Sequence, residues 1–399
     1  MTSMISLFAA RASIWDKTPL LSPHPAPLAE AYGRILRDDV HALDDLPAFD
    51  RAAMDGYALN CDDGLESFRI VGEIQPGITP DFKIAGGECA RIYTGAQLPE
   101  GASQVLMQED ARVEENLMIP LQRTRTTHIR FKGEDARSGD LLLTAGTRLG
   151  QGELALLAGI GFTEPMVSPQ IRVVHFVTGN EVIAPEQTPQ PGQIHDSNSA
   201  LVAAFVRQNN GRIVKQERLC DDFDLLLNRV RSCHGDYDLL LVSGGASIGD
   251  YDYGRKLLCA LGFEIYFEKV DLRPGKPLIF GTRGSQAAFV LPGNPISHFV
   301  TLHVEVRLAM EKFTGANASW PVVKARLAED FNYRSSTHDT FFPAHLDAEN
   351  GELVVRALRW KSSGDVTGLA GANALMHLTG EMNSPKAGDL IPTLLLGAL

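Results

Sequence analysis

Cysteine is scarce in this chain. The five residues, Cys61, Cys89, Cys220, Cys233 and Cys259, are odd in number and scattered, and none forms a CxxC pair. A disulfide framework and a structural zinc site are both disfavoured, and a reduced, cytoplasmic setting is expected. Positive charge is in deficit, with 37 Lys+Arg against 49 Asp+Glu and a net charge of −12. A nucleic-acid-binding surface leans the other way, although a local basic site for a phosphorylated ligand stays compatible. No apolar run approaches the roughly 20 residues that a membrane helix needs. The opening MTSMISLFAARASIW has no Lys or Arg before its short apolar patch, so a secretory signal is not expected. Gly and Pro show no G-X-Y period, and no segment matches GxxxxGK[ST]. No GxGxxG follows the first strand of the β/α region, which disfavours a dinucleotide-dependent dehydrogenase. One G-x-S-x-G match exists, centred on Ser247. Its Asp-rich continuation and the lack of an HGGG-type segment set a serine hydrolase aside.

What is present is a multidomain α/β pattern. At 399 residues the chain has room for two to four domains. Residues 1–40 read as a helix, a link containing Pro23, Pro25 and Pro27, and a second short helix around Leu28–Leu36. From Pro47 to about Gly139, short alternating strands with frequent Gly and Pro predict an all-β insert. GDLLLTAGTRL (139–149) predicts a hairpin, and GELALLAGIG (152–161) a helix ending at glycine. Strands then alternate with helices from Ile171 to Gly315. Such alternation implies a doubly wound, mostly parallel sheet whose ligands sit beyond the C-terminal strand ends. After Gly315 the pattern returns to strands, with an Asn350-Gly351 hairpin signal, and predicts a small β-barrel or sandwich.

Four segments of the β/α region carry chemistry. In SGGASIGDYDY (243–253), Gly244, Gly245 and Gly249 let backbone N–H groups approach an anion. Ser243 and Ser247 add hydroxyls, and Asp250 and Asp252 place carboxylates beside that site. Carboxylates next to phosphate repel it unless a cation such as Mg²⁺ intervenes; the plainer alternative is a Gly-rich turn with capping aspartates. LRPGKPLIFG holds Arg273 and Lys276 on a stiff Pro-Gly turn, a geometry suited to phosphate. LPGNPISH brackets Gly293-Asn294 with Pro292 and Pro295, and VTGNEV carries Glu181. His175 reads as core and His298 as a cap or satisfied polar group. In the β insert, PAFDRAAMDGYAL holds Asp50 and Asp55. RFKGEDARSGD gathers Arg130, Lys132, Glu134, Asp135 and Arg137, a run that elsewhere is usually a solvated face.

Taken together, PAFDRAAMDGYAL, RIYTGAQLPEGASQVLMQED, GEDARSGD, VTGNEV, SGGASIGDYDY, RPGKP and LPGNP, in this order from Pro47 to His298, resemble the molybdopterin molybdenumtransferase family, to which the C-terminal domain of gephyrin also belongs. The resemblance implies an elongated helical domain (1–46 with 140–168), an all-β insert (47–139), a β/α molybdopterin-binding domain (169–316) and a C-terminal β-barrel (317–399). It implies a homodimer whose site joins the β/α domain of one subunit to the insert of the other. It also implies a reaction in which molybdate and adenylylated molybdopterin give molybdenum cofactor and AMP with Mg²⁺. Other cofactor-synthesis enzymes are compatible partners; nucleic acid and membrane are not expected.

Carried over position by position, the family's acidic residues match Asp55, Asp135, Glu181 and Asp252, with Glu181 and Asp252 as metal ligands. Thr94, Ser243, Gly244, Gly245, Ser247, Asp250, Arg273, Lys276, Pro292 and Pro295 match positions around the substrate. Either Asp221 or Asp222 fills a further acidic position. Molybdate is itself an anion and needs a second basic patch, for which Arg130, Lys132 and Arg137 are candidates. Three departures stand out: Arg273 occupies a position where the family often has Lys, Phe131 interrupts a stretch that is often basic, and TFFPAHL (340–346) lacks an arginine common in the barrel. Alternatives are the short molybdopterin adenylyltransferase, a non-catalytic scaffold of the same fold, and a tungstate-specific paralogue.

Overall fold

The computed structural model describes residues 4–60, 65–122, 125–233, 236–244, 251–318, 320–333, 337–359, 361–380 and 382–397, with Tyr251 and Asp252 described by their backbone alone. The backbone divides into two compact units. One comprises Met1–Arg37, Gly146–Gly150 and Glu164–Leu399; the other comprises Asp38–Ala145 and Gln151–Thr163. Among the described residues, no helix is long and apolar enough to cross a membrane.

The larger unit is built on a mixed sheet. Four parallel strands lie in the order Gly211–Leu219, Ile171–Thr178, Leu239–Ser243 and Gln286–Leu291. Pro277–Arg283 and Glu264–Arg273 continue it antiparallel. Leu239–Ser243 and Gln286–Leu291 are buried along their whole length, which is why they read as continuous apolar runs rather than alternating ones. The strand period of two divides the side chains between two cores. Val173, Leu239 and Leu241 pack with Val300 and with Leu7, Ala10 and Ile14 of the N-terminal helix. Val174, Phe176, Leu240 and Val242 pack with Leu226, Leu227 and Leu257 of the helices on the other face. Each such side chain contributes roughly 1.5–3 kcal/mol when buried. The N-terminal helix, Leu7–Lys17, is capped by Ser6, whose hydroxyl accepts from Ala9 N. The long helix expected after LPGNP starts at Pro295 with proline in its first turn, and it contains a stretch of π-helix, Leu302–Val306, before ending at Thr314.

The C-terminal strands Val322–Leu327, Asp339–Glu349, Glu352–Ala357, Ala374–Leu378 and Leu390–Leu395 close on themselves into a five-stranded barrel. Asn350 (φ 53°) and Gly351 (φ 84°) make the expected tight hairpin.

In the smaller unit six strands form one sheet, with Gly56–Leu59 between Gln104–Met107 and Glu88–Ile92. Ala58 faces one apolar cluster, and Tyr57 and Leu59 face another. Gly56 is obligatory: an added Cβ would lie 1.9 Å from the Leu106 carbonyl oxygen.

Two local expectations are corrected. Residues 139–149 do not form a hairpin; Leu141–Leu143 pairs instead with Val40–His41. The second helix covers only Leu28–Ala31, because the chain turns through Gly33 at φ 75°.

Candidate functional site

The C-terminal ends of the three parallel strands finishing at Thr178, Ser243 and Leu291 open onto a cleft of ≈ 860 Å³ in the larger unit. Its walls are the loops that the sequence singled out. Glu181, Ser243, Gly244, Pro292 and Pro295 all line it. Gly244 has φ 96°, and a Cβ there would meet the Thr178 carbonyl oxygen at 2.6 Å, so the strand-end loops are packed closer than any side chain allows. The Glu181 carboxylate lies over Gly179, where an added Cβ would come within 3.0 Å of Oε2. It enters no hydrogen bond or ion pair among the described residues. Two buried polar atoms of the wall, Thr178 Oγ1 and Asn198 Oδ1, have no partner among the described residues.

Asp221 and Asp222 are placed differently. Asp222 caps the helix Phe223–Arg231, accepting from Leu225 N at 2.8 Å. Asp221 lines the cleft and exchanges hydrogen bonds with Asn180: its carboxylate accepts from Asn180 N at 3.3 Å, and its own N–H donates to Asn180 Oδ1 at 3.1 Å. Asp196, also in the wall, is held by Ser199 N and Oγ at 2.9 and 2.5 Å and by Arg218 at 3.3 Å.

Arg273 and Lys276 do not share one position. Arg273 lines a second cleft, of ≈ 1000 Å³, whereas Pro277 at the other end of the Pro-Gly turn lines the first; Lys276 lines neither. The second cleft draws Arg356, Arg359 and Lys361 from the barrel, none of which sequence reasoning selected. Their signal was the run VVRALRWKSSGD, whose cations fall at a strand end. Arg356 is paired with Glu349; Arg273 and Arg359 have no ion pair among the described residues. The segment from Lys361 to Val366 contributes to both clefts. Ser363 fixes it, accepting from Asn294 Nδ2 at 3.0 Å and, through its carbonyl, from Ile296 N at 3.0 Å. Hydrogen bonds from Thr367 and Lys361 hold the Asp365 carboxyl below the usual carboxylate range.

Asp55, Thr94, Arg130, Lys132 and Asp135 belong to the smaller unit. Asp55 accepts from Thr94 N at 2.8 Å and Thr94 Oγ1 at 2.7 Å, bonds that lower its pKa. Two cations of the basic run, Arg130 and Lys132, have acidic neighbours. Arg130 is paired with both Glu134 and Asp135, and Lys132 Nζ lies 3.5 Å from Asp45. Gly245, Ser247 and Asp250 lie outside the described residues, as does the side chain of Asp252.

Three family models match the chain in sequence: the MoeA N-terminal region (domain I and II) over residues 5–161, the "Probable molybdopterin binding domain" over 175–312, and the MoeA C-terminal region (domain IV) over 324–396. A molybdopterin molybdenumtransferase of Nostoc is 35% identical over 361 residues, covering 87% of this chain and 83% of that protein. One from Staphylococcus epidermidis is 29% identical over 378 residues, covering 92% and 90%. The solved molybdopterin biosynthesis MoeA protein of Pyrococcus horikoshii superimposes with a TM-score of 0.83 at 27% identity, covering 100% of both chains. With a cleft at the ends of its parallel strands, a closed C-terminal barrel and these matches along its length, the chain belongs to the molybdopterin molybdenumtransferase family of transferases and has the MoeA fold.

Proposed function

We propose that this protein takes part in molybdenum cofactor synthesis by inserting molybdenum from molybdate into adenylylated molybdopterin and releasing AMP, as a cytoplasmic, Mg²⁺-dependent homodimer. The observation that carries the reading is the pairing of two clefts in one unit. One is floored by strand-end loops and carries Glu181; the other is lined by Arg273, Arg356, Arg359 and Lys361. The first suits the phosphates of the nucleotide-bearing pterin, which Ser243 and the loop N–H groups would hold. The second also has Glu329 and Asp330 in its wall, but Arg273 and Arg359, which have no ion pair among the described residues, suit a tetrahedral dianion, which guanidinium groups bind through paired N–H donors.

Cleaving the phosphoanhydride puts negative charge on the departing AMP, so the cations and N–H groups have to face that charge as it develops. The donors present fit Mg²⁺. Glu181 and Asp221 offer hard oxygens in the first cleft, and Asp252 is the second proposed ligand beside Glu181. Among the described residues no cluster of three or more His, Cys, Asp or Glu converges on a metal. Mg²⁺ typically takes one or two carboxylates and fills its shell with phosphate oxygens and water. When bound, it would neutralise charge on the phosphoryl oxygens. Asp55 and Asp135 lie in the other compact unit; in this reading the partner subunit supplies them.

The test is incubation of the purified protein with adenylylated molybdopterin and Mg²⁺, with molybdate, tungstate or neither. AMP release that requires an oxyanion is expected. Formation of adenylylated molybdopterin from molybdopterin and MgATP, without oxyanion-dependent AMP release, would assign the chain to the adenylyltransferase reaction instead.

A further inference from the structure

His175 is fully buried in the middle of a parallel strand, where an aliphatic residue would satisfy the packing. It is instead the centre of a hydrogen-bonded chain that ends in the first cleft, and the direction of every bond in that chain can be worked out. The carbonyl oxygen of Ser199 can only accept. The Gln216 atom 3.1 Å from it is therefore the amide nitrogen, Nε2. That same nitrogen lies 2.8 Å from His175 Nδ1. An NH₂ group has only protons to offer, so Nδ1 is the acceptor and carries the lone pair. The opposite arrangement would set two donors head-on. A neutral imidazole then has its proton on Nε2, and burial holds this ring neutral by pushing its pKa well below the usual histidine value. Nε2 lies 2.6 Å from Ser243 Oγ and must donate to it. The serine oxygen accepts this bond through one lone pair, and its own proton cannot point at the ring and has to point elsewhere. No other partner for that hydroxyl exists among the described residues, and Ser243 lines the cleft.

We propose that His175, directed by Gln216, is a positioning residue that turns the Ser243 hydroxyl proton away from the ring and keeps it available to donate into the cleft, where an anionic phosphate oxygen is its partner. A serine left alone accepts or donates with equal ease. Here the backbone carbonyl of Ser199 fixes the sense of the whole chain. The proposal rests on the reading that this cleft holds the phosphates of the substrate, and it adds a source for the polarity of the site. The second buried imidazole, His298, lies with its ring centre 6.4 Å from that of His175. Its Nδ1 donates to the Pro292 carbonyl at 3.0 Å, so it stands outside the relay.

The experiment has two arms. In the first, histidine-¹⁵N spectra of the parent protein are recorded between pH 6 and 8, with His175 assigned by its loss in His175→Gln. A neutral ring protonated at Nε2 across this range is expected; the Nδ1–H tautomer, or an imidazolium, overturns the proposal whatever the binding results. In the second, affinities for adenylylated molybdopterin and for AMP alone are measured by calorimetry for the parent, His175→Phe, Ser243→Ala, the double variant and His175→Gln. A hydrogen bond to a charged oxygen is worth about ten- to a hundredfold in affinity. Both single variants are expected to lose about that much, and the double variant no more than Ser243→Ala alone, because the two residues act through one hydroxyl. His175→Gln, whose amide keeps a donor for Ser243 and an acceptor for Gln216, is expected to recover most of the loss. Losses that multiply in the double variant, or unchanged binding in His175→Phe, overturn the positioning role while leaving the cleft reading intact. If the parent binds neither probe, the cleft reading fails and takes the phosphate partner with it, a result distinguishable because the tautomer is read independently.

Discussion

Glu305 offers a sharp test of the packing in the larger unit. It sits in the π-helical stretch Leu302–Val306 with no exposed surface, and neither carboxylate oxygen has a partner among the described residues. Arg11 of the N-terminal helix comes close, but its guanidinium donates to the Val304 carbonyl and stacks over Trp320 at 4.1 Å. Arg307 is committed to Glu311 at 3.1 Å. Burial pushes Glu305 up to about 8, with Arg11 acting in the opposite sense. The sign follows directly. The unfolded chain loses this proton near 4.5 and the folded chain keeps it to about 8, so native stability falls as pH rises between those values. The slope is about 1.4 kcal/mol per pH unit, which makes the total close to 5 kcal/mol as a ceiling. Glu305→Gln keeps the shape and removes the charge. Because the chain holds more than one compact unit, one global unfolding free energy is not well defined. Hydrogen exchange of the helix amides from Pro295 to Thr314 reads the effect locally. Parent and variant are expected to differ little at pH 5, while at pH 8 the variant is protected more strongly, by tenfold or more, on the order of 1.4 kcal/mol. An equal ratio at both pH values would refute the reasoning.

Three further outcomes are expected. Asp252→Ala, at the second residue of the helix Tyr251–Ala260, costs at most about 1 kcal/mol of stability as a lost first-turn carboxylate but lowers Mg²⁺-dependent turnover on the order of a hundredfold; a Mg²⁺ titration of turnover matching the parent's would remove it from the metal. Arg273→Ala weakens molybdate binding about tenfold or more and flattens its salt dependence, whereas Lys276→Ala, outside both clefts, changes it little; calorimetry at two salt concentrations separates them. Mixed dimers of Asp55→Ala and Asp252→Ala subunits regain part of the activity, and inactive mixtures in which heterodimers have been shown to form would contradict a shared site.

Much of the larger unit was legible because its central strands are buried on both faces and so read as unbroken apolar runs between glycine-rich stops. The same stops placed Glu181, Ser243, Gly244, Pro292 and Pro295 at strand ends, and the structure brings all five to one cleft. Pairings between distant segments were not legible. Leu141–Leu143 finds its partner at Val40–His41, about 100 residues away, and nothing within 139–149 signals that. The second cleft is not legible for a related reason: Arg273 comes from the mixed sheet, while Arg356 and Arg359 come from a barrel strand and the residues after it. Asp221 and Asp222 are chemically identical neighbours, and only the capping geometry tells them apart. His175 was read as core, which its burial bears out, but no local pattern announces a hydrogen-bond chain whose members lie at positions 175, 199, 216 and 243.

The central claim is that one chain couples release of AMP to capture of molybdenum by the pterin. The measurement that tests it most directly is a single-turnover reaction of the protein with adenylylated molybdopterin, Mg²⁺ and molybdate. AMP is quantified by chromatography and pterin-bound molybdenum by elemental analysis of the isolated product. One molybdenum atom per AMP is expected, with both yields abolished together in Glu181→Ala. AMP released in full while the pterin carries no molybdenum would contradict it.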